Sequence, residues 1–99
     1  MAGKLDTAAI DAALARLDGW QYDRQRHALV RRFEFRDFSE AFGFLTRVAL
    51  AAEQADHHPE WSNVYKRVEI VLTTHSAGGV TALDVALADK IDRLCHSTG

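Results

Sequence analysis

Glu53-Gln54-Ala55-Asp56-His57-His58-Pro59-Glu60-Trp61 is the stretch where a helical pattern stops and an extended one begins. Proline disfavours the α conformation for the residue before it, so His58 is expected to be extended and any helix to end upstream. The same stretch gathers two adjacent histidines, three carboxylates and a tryptophan around the chain's only proline. Histidine both gives and takes a proton near neutral pH. A stiff corner of this composition can aim imidazoles as well as turn the chain.

Upstream, a helix is expected from about Ser39 to Ala55, opened by Asp37-Phe38-Ser39-Glu40 in the form of a capping box. Ala41, Leu45, Val48 and Ala52 make one apolar row, while Phe42, Ala49 and Phe44 or Ala51 fall elsewhere. One sheet cannot cover all of these. The surplus predicts a second partner, most simply the same helix of another subunit. Downstream, Val64 to Thr74 reads as one long strand, with Val68, Ile70 and Leu72 on one face and Glu69, Val71 and Thr73 on the other. That alternation puts His75 at the strand's end. Trp61 to Tyr65 reads as a short strand paired to it, and Ser76-Ala77-Gly78-Gly79 as a turn whose two glycines tolerate positive φ. Thr81-Ala82-Leu83-Asp84 is again a capping box in form, starting a helix to about Leu94 or Cys95 that buries Leu87, Ile91 and Leu94.

Toward the N-terminus, Ile10, Ala13, Leu14 and Leu17 place one stripe on a helix from Leu5 to Leu17, capped by Asp6 or Thr7 and ended at Gly19. Trp20 to Asp23 and Leu29 to Arg36 alternate as two strands of a hairpin. Their link, Arg24 to His27, carries no Asn-Gly signal, so its turn type is open and His27 is expected on the surface. The resulting order, α-β-β-α-β-β-α, predicts a single α+β domain over residues 1–99. It is expected to be a two-layer sandwich, a four-stranded antiparallel sheet with three helices on one face.

Ninety-nine residues leave no room for a second core, and 47% hydrophobic with 26% charged residues is ordinary globular composition. A net charge of −2 lacks the basic face of nucleic-acid and acidic-lipid binders, and Arg31 with Arg32 reads as a solvated strand edge. With Cys95 as sole cysteine, no intramolecular disulfide is possible, which fits a reducing cytoplasm. Cys95 reads as a packing residue. No apolar run approaches a membrane span and no basic-then-apolar export signal opens the chain, so a cytoplasmic location is expected.

The chemistry then turns on His57, His58 and His75. A metal site needs three or four convergent ligands, and successive side chains on an extended backbone diverge, so His57 and His58 do not suit one ion. No serine or cysteine sits in a nucleophile motif, and no Gly-rich loop cradles a nucleotide.

The full spacing Glu53-x3-His57-His58-Pro59-x5-Tyr65-x9-His75-x8-Asp84 closely resembles the signature of the pterin-4a-carbinolamine dehydratases. The Phe-rich hairpin, Arg47-Val48-Ala49, Pro59-Glu60-Trp61 and Gly78-Gly79-Val80-Thr81 also look like that family, from about Leu5 to Leu94. No signature position departs from the pattern; Gln54 varies outside it. The resemblance implies elimination of water from a 4a-hydroxytetrahydropterin to the quinonoid dihydropterin, in recycling the pterin left by an aromatic amino acid hydroxylase. That reaction needs an acid for the departing hydroxyl and a base for the N5 proton, and imidazoles serve as both. It involves no redox change, so no nicotinamide, flavin or metal is implied. His58 is expected to be the principal acid–base group, with His57 and His75 as the others and the roles of acid and base open among them. Asp84 is expected to orient His75, to cap its helix, or both; Glu53 is either a supporting carboxylate or a surface one. Trp61 is expected as a pocket wall or a core residue. The family's pterin contacts imply substrate-binding roles for His57, His58, Pro59, Trp61, Thr74, His75, Ser76 and Ala77.

By the same resemblance, a homodimer or homotetramer is expected through the second helix and a sheet edge, with a functional link to a hydroxylase and no direct contact with nucleic acid or membrane. A non-enzymatic dimerisation module that binds a partner helix is the rival reading. Redeployment in molybdopterin metabolism or enzyme assembly is a third, which the intact histidine set argues against.

Overall fold

The apolar rows expected of the strands meet in one sheet. The computed structural model describes residues 3–98; the ends of the expected domain, residues 1, 2 and 99, lie outside them. The elements run α1 (Thr7–Leu14), β1 (Gln21–Asp23), β2 (Ala28–Glu34), α2 (Phe38–Ala55), β3 (Glu60–Val64), β4 (Arg67–Leu72), a single 3-10 turn (His75–Ala77) and α3 (Ala82–Thr98). All strand pairs are antiparallel in the order β1-β2-β4-β3. Leu29 and Phe33 of β2 oppose Leu72 and Val68 of β4, and these join Ile70 in the main core with Ile10, Phe44, Val48, Leu87 and Ile91 from the three helices. The expected α+β sandwich with its helices on one face is the fold observed.

The outer sheet face is not bare. Ala28, Val30 and Val71 form a small buried cluster there. The β1–β2 turn folds over that face: Asp23 Oδ1 accepts the Gln25 and Arg26 N–H groups, His27 takes φ +52°, and Arg26 reaches Glu69 at 3.6 Å. Its side-chain-capped turn replaces the glycine signal that the sequence lacks.

Several boundaries differ from the sequence reading, each for a local reason. Leu5 lies outside the helix, where its N–H bonds to Val80 O at 2.8 Å, and Asp6 caps α1 through the Ala9 N–H. The helix ends at Leu14, although Leu17 still packs in the core and Gly19 takes φ +80°. Val64 to Thr74 is not one strand. The chain reverses at Tyr65-Lys66, with Tyr65 at φ +51°, and the Asn63 side-chain amide holds the reversal by donating to Tyr65 O and Arg67 O at 3.1 and 2.9 Å. Only Gly78 of the glycine pair has positive φ. No helix among the described residues is long and apolar enough to cross a membrane.

Arg31 is also not the solvated residue its charge suggested. Alternation puts it on the helix side, where Nη1 meets Asp92 Oδ1 at 2.5 Å and the guanidinium lies 4.4 Å from the Phe33 ring centroid. Trp20 Nε1 donates to the same Asp92 oxygen at 2.8 Å, so one carboxylate ties α3 to both β2 and the approach to β1. Replacing Asp92 by Ala removes the acceptor of two half-buried donors. Urea unfolding should show a loss of about 2–4 kcal/mol, with Asp92→Asn losing less because it keeps an acceptor for Trp20.

Candidate active site

Helix α2 ends in a Schellman motif. Asp56 is left-handed at φ +51°, its N–H bonds back to Ala52 O and Glu53 O, and the His57 N–H reaches Ala52 O at 3.1 Å. Aspartate tolerates this conformation better than most residues. The motif reverses the chain within one residue and turns His57 inward, toward the start of α3.

There it meets Asp84. His57 Nε2 lies 2.5 Å from Asp84 Oδ1, with the imidazole 11% exposed and Asp84 fully buried. Asp84 Oδ2 accepts the Thr81 N–H and the Thr74 hydroxyl, both at 2.8 Å. The expected capping box is therefore present: Thr81 Oγ1 accepts the Leu83 N–H at 3.2 Å while Asp84, at the third helical position, returns to the Thr81 N–H. An ionised carboxylate only accepts, so with Asp84 ionised the proton of His57 sits on Nε2 and its Nδ1 is left for exchange.

His58 turns the other way, as neighbouring extended residues do. Its Nε2 lies 2.8 Å from Glu53 Oε1, on a ring 60% exposed. Glu53 thus reaches a histidine from the last turn of α2. His75, in the 3-10 turn after β4, is 85% exposed, and its Nε2 stands 3.8 Å from Glu60 Oε2. Each of the three imidazoles has a carboxylate at its Nε2. Hydrogen bonds run from His57 through Asp84 to Thr74, next to His75 in the chain, while Glu60, facing His75, lies two residues from His58; the three imidazoles thus share one end of the sheet without touching one another among the described contacts.

Asp84 was expected beside His75; the structure gives it to His57 instead. The reason is the pleat. Thr74 shares the inward parity of Val68, Ile70 and Leu72, so its side chain faces Asp84, whereas His75 has the opposite parity. Trp61 lies on edge strand β3 and is 42% exposed, so it is not a core residue. Pro59 and Ala77 are half-buried, and Ser76 is exposed. Glu60 was given no role from sequence, and the same period-two count that separates Thr74 from His75 was the available signal. The concavities on the outer sheet face, between α1 and α3 and beside β1 are lined by other residues. Among the described residues no group of three or more His, Cys, Asp or Glu side chains could hold a metal ion.

The model of the family described as pterin 4 alpha carbinolamine dehydratase matches residues 3–94. The chain belongs to that family. A Mesorhizobium japonicum protein provisionally named pterin-4-alpha-carbinolamine dehydratase is 61% identical over 89 residues, 90% of this chain and 91% of its own. A Bradyrhizobium protein with the same provisional name is 56% identical over 97 residues, 98% of each chain. A crystal structure from Brucella melitensis, titled a transcriptional coactivator/pterin dehydratase, superposes with a TM-score of 0.90 at 49% identity, covering 93% of this chain and 98% of that one. A second structure, titled a pterin dehydratase-like protein identified as a RuBisCO assembly factor in the alpha-carboxysome, has a TM-score of 0.66 at 25% identity over 77% and 88% of the two chains. Family membership supports a pterin dehydratase activity.

Asp84 and Glu53 should separate cleanly in stability. Asp84→Ala strands the Thr81 N–H, the Thr74 hydroxyl and the imidazole in a buried setting, and should cost about 3–5 kcal/mol in denaturant unfolding. Glu53→Ala should stay within about 0.5 kcal/mol of wild type. Elsewhere, burial pushes the Cys95 thiol up, with Arg31 opposing it. Less thiolate is then present at any given pH, so iodoacetamide should alkylate Cys95 more slowly than free cysteine near pH 8.

Proposed function

We propose that this chain eliminates water from a 4a-hydroxytetrahydropterin to give the quinonoid dihydropterin, by histidine acid–base catalysis. The C4a–O bond breaks, the hydroxyl leaves as water with a proton from one imidazole, and the N5 proton passes to another. The observation that carries the reading is the set of three imidazoles, each against a carboxylate, at one end of the sheet in a chain of this family. His58 is the principal acid–base group: its ring is accessible, and its Nε2 stands against Glu53 Oε1 at 2.8 Å. His57, with Nε2 turned to Asp84, offers Nδ1; His75 is the third proton-handling group. Pro59, Trp61, Ser76, Ala77 and the backbone of Thr74 border the same end of the sheet and supply the pterin's contacts. No redox step occurs, so the reaction calls for no nicotinamide, flavin or metal. Its substrate is what an aromatic amino acid hydroxylase releases, and a cytoplasmic role in recycling that pterin follows.

A second reading is supported by one face of α2. Phe38, Phe42 and Leu50 are exposed, and the two phenylalanine rings stack at 5.4 Å. Such a stripe suits self-association into a homodimer or homotetramer, or capture of a partner helix by a non-enzymatic module, as the coactivator title of the Brucella relative suggests.

His58→Ala should slow dehydration of freshly generated 4a-hydroxypterin by roughly two to four orders of magnitude, with an unchanged circular dichroism spectrum. Turnover near wild type in that variant would leave the module reading in its place.

A further inference from the structure

We infer that the hydroxyls of Thr81 and Thr74 form a one-directional donor chain that, through Asp84, sets which ring nitrogen of His57 carries its proton. Both threonines are positioning residues. The inference rests on the proposed role of His57 as a proton-handling group, and it concerns two side chains that the elimination itself never touches.

Counting protons fixes the direction. Thr74 has one hydroxyl proton, given to Asp84 Oδ2 at 2.8 Å. Thr74 Oγ1 also lies 2.9 Å from Thr81 Oγ1, so the proton in that contact is Thr81's. Thr81 Oγ1 accepts the Leu83 N–H, and the Thr81 N–H goes to Asp84 Oδ2. Oδ2 therefore has two donors, and Oδ1 is left to the imidazole at 2.5 Å. The three residues of the chain are closed to solvent, Thr81 and Asp84 fully and Thr74 at 9% exposure. No water competes for these sites, and each donor polarises the next.

The chain holds the plane of the carboxylate. A half-turn about its last bond only exchanges equivalent oxygens, whereas a partial rotation would pull the two donors off one oxygen and the imidazole off the other. With Asp84 ionised, Oδ1 has only lone pairs to offer His57, which keeps the ring in the Nε2–H form and Nδ1 open for exchange. His58 has no such constraint, since its partner Glu53 is exposed and held by nothing comparable. One histidine is locked and the other is adjustable.

Nitrogen-15 NMR of histidine-labelled protein reads the tautomer without substrate. In the wild type His57 should be a single Nε2–H species at a pH where its ring is neutral, and the Thr74 and Thr81 hydroxyl protons should appear as slowly exchanging resonances. Thr74→Val should mix the tautomers, lower turnover roughly ten- to hundredfold and move the pH profile of turnover, while Thr74→Ser should restore all three. A wild-type His57 in the Nδ1–H form overturns the inference with no variant needed. So does a Thr74→Val protein that keeps both the tautomer and the pH profile. A single Nε2–H species in a protein without dehydratase activity would instead uphold the donor chain and remove the functional reading.

Discussion

Asp84 is a carboxylate with no solvent, and that is affordable only because every lone pair in use has a donor. A buried charge left unpaired costs several kcal/mol, more than most single interactions in a small domain can offset. Here a backbone N–H, a hydroxyl and an imidazole meet it. Those donors come from the first turn of α3, the end of β4 and the corner after α2. One side chain thus fastens three segments that share no continuous backbone, and the group that fastens them also aims an imidazole. Under the proposed reaction, the demands of folding and of chemistry fall on the same atoms.

Local patterns were legible in the sequence, and distant partners were not. Both helix starts stand where they were read: Asp37 accepts the Glu40 N–H while Glu40 reaches back to the Arg36 N–H, and Asp84 returns to the Thr81 N–H, all within four residues. The pairing of β3 with β4 was read, but the place of its reversal was not, because the usual sign, glycine or Asn-Gly, is absent; the Asn63 amide reaching forward to two carbonyls holds the turn instead. Alternation put Arg31 in line with Leu29 and Phe33, facing the helices, yet its charge argued for water. What decides is Asp92, sixty-one residues on, which no local pattern could supply. Of the candidate site, the histidines were visible and their pairing was not. Asp84 sits 27 residues from His57 and only nine from His75, so nearness along the chain favoured the wrong imidazole. The parity of Thr74 was the clue that outweighed it.

The exposed aromatic pair on α2 belongs to a different part of the molecule. Phe38 and Phe42 occupy the start of that helix, while Glu53 and the histidines follow from its end. An α-helix of 18 residues spans about 27 Å at 1.5 Å per residue. A partner seated on the two rings would therefore leave the histidine end uncovered, and association there and the proposed pterin chemistry at the far end do not exclude one another sterically. Leu50 lies nearer the site, so a partner covering the whole stripe would approach it more closely.

The capping of α3 carries a consequence for how the protein loses its competence. Helix ends fray before sheets separate, since their outermost turns have the fewest bonds to break. In this molecule the first turn of α3, buried and pinned by its cap, holds the acceptor for His57. A brief opening at residues 81–84 would release the imidazole while β2 and β4 stayed paired, so under the proposed reaction the population able to turn over would be smaller than the population that is folded. On warming, competence should fade at a temperature where optical probes of the sheet still register a native protein.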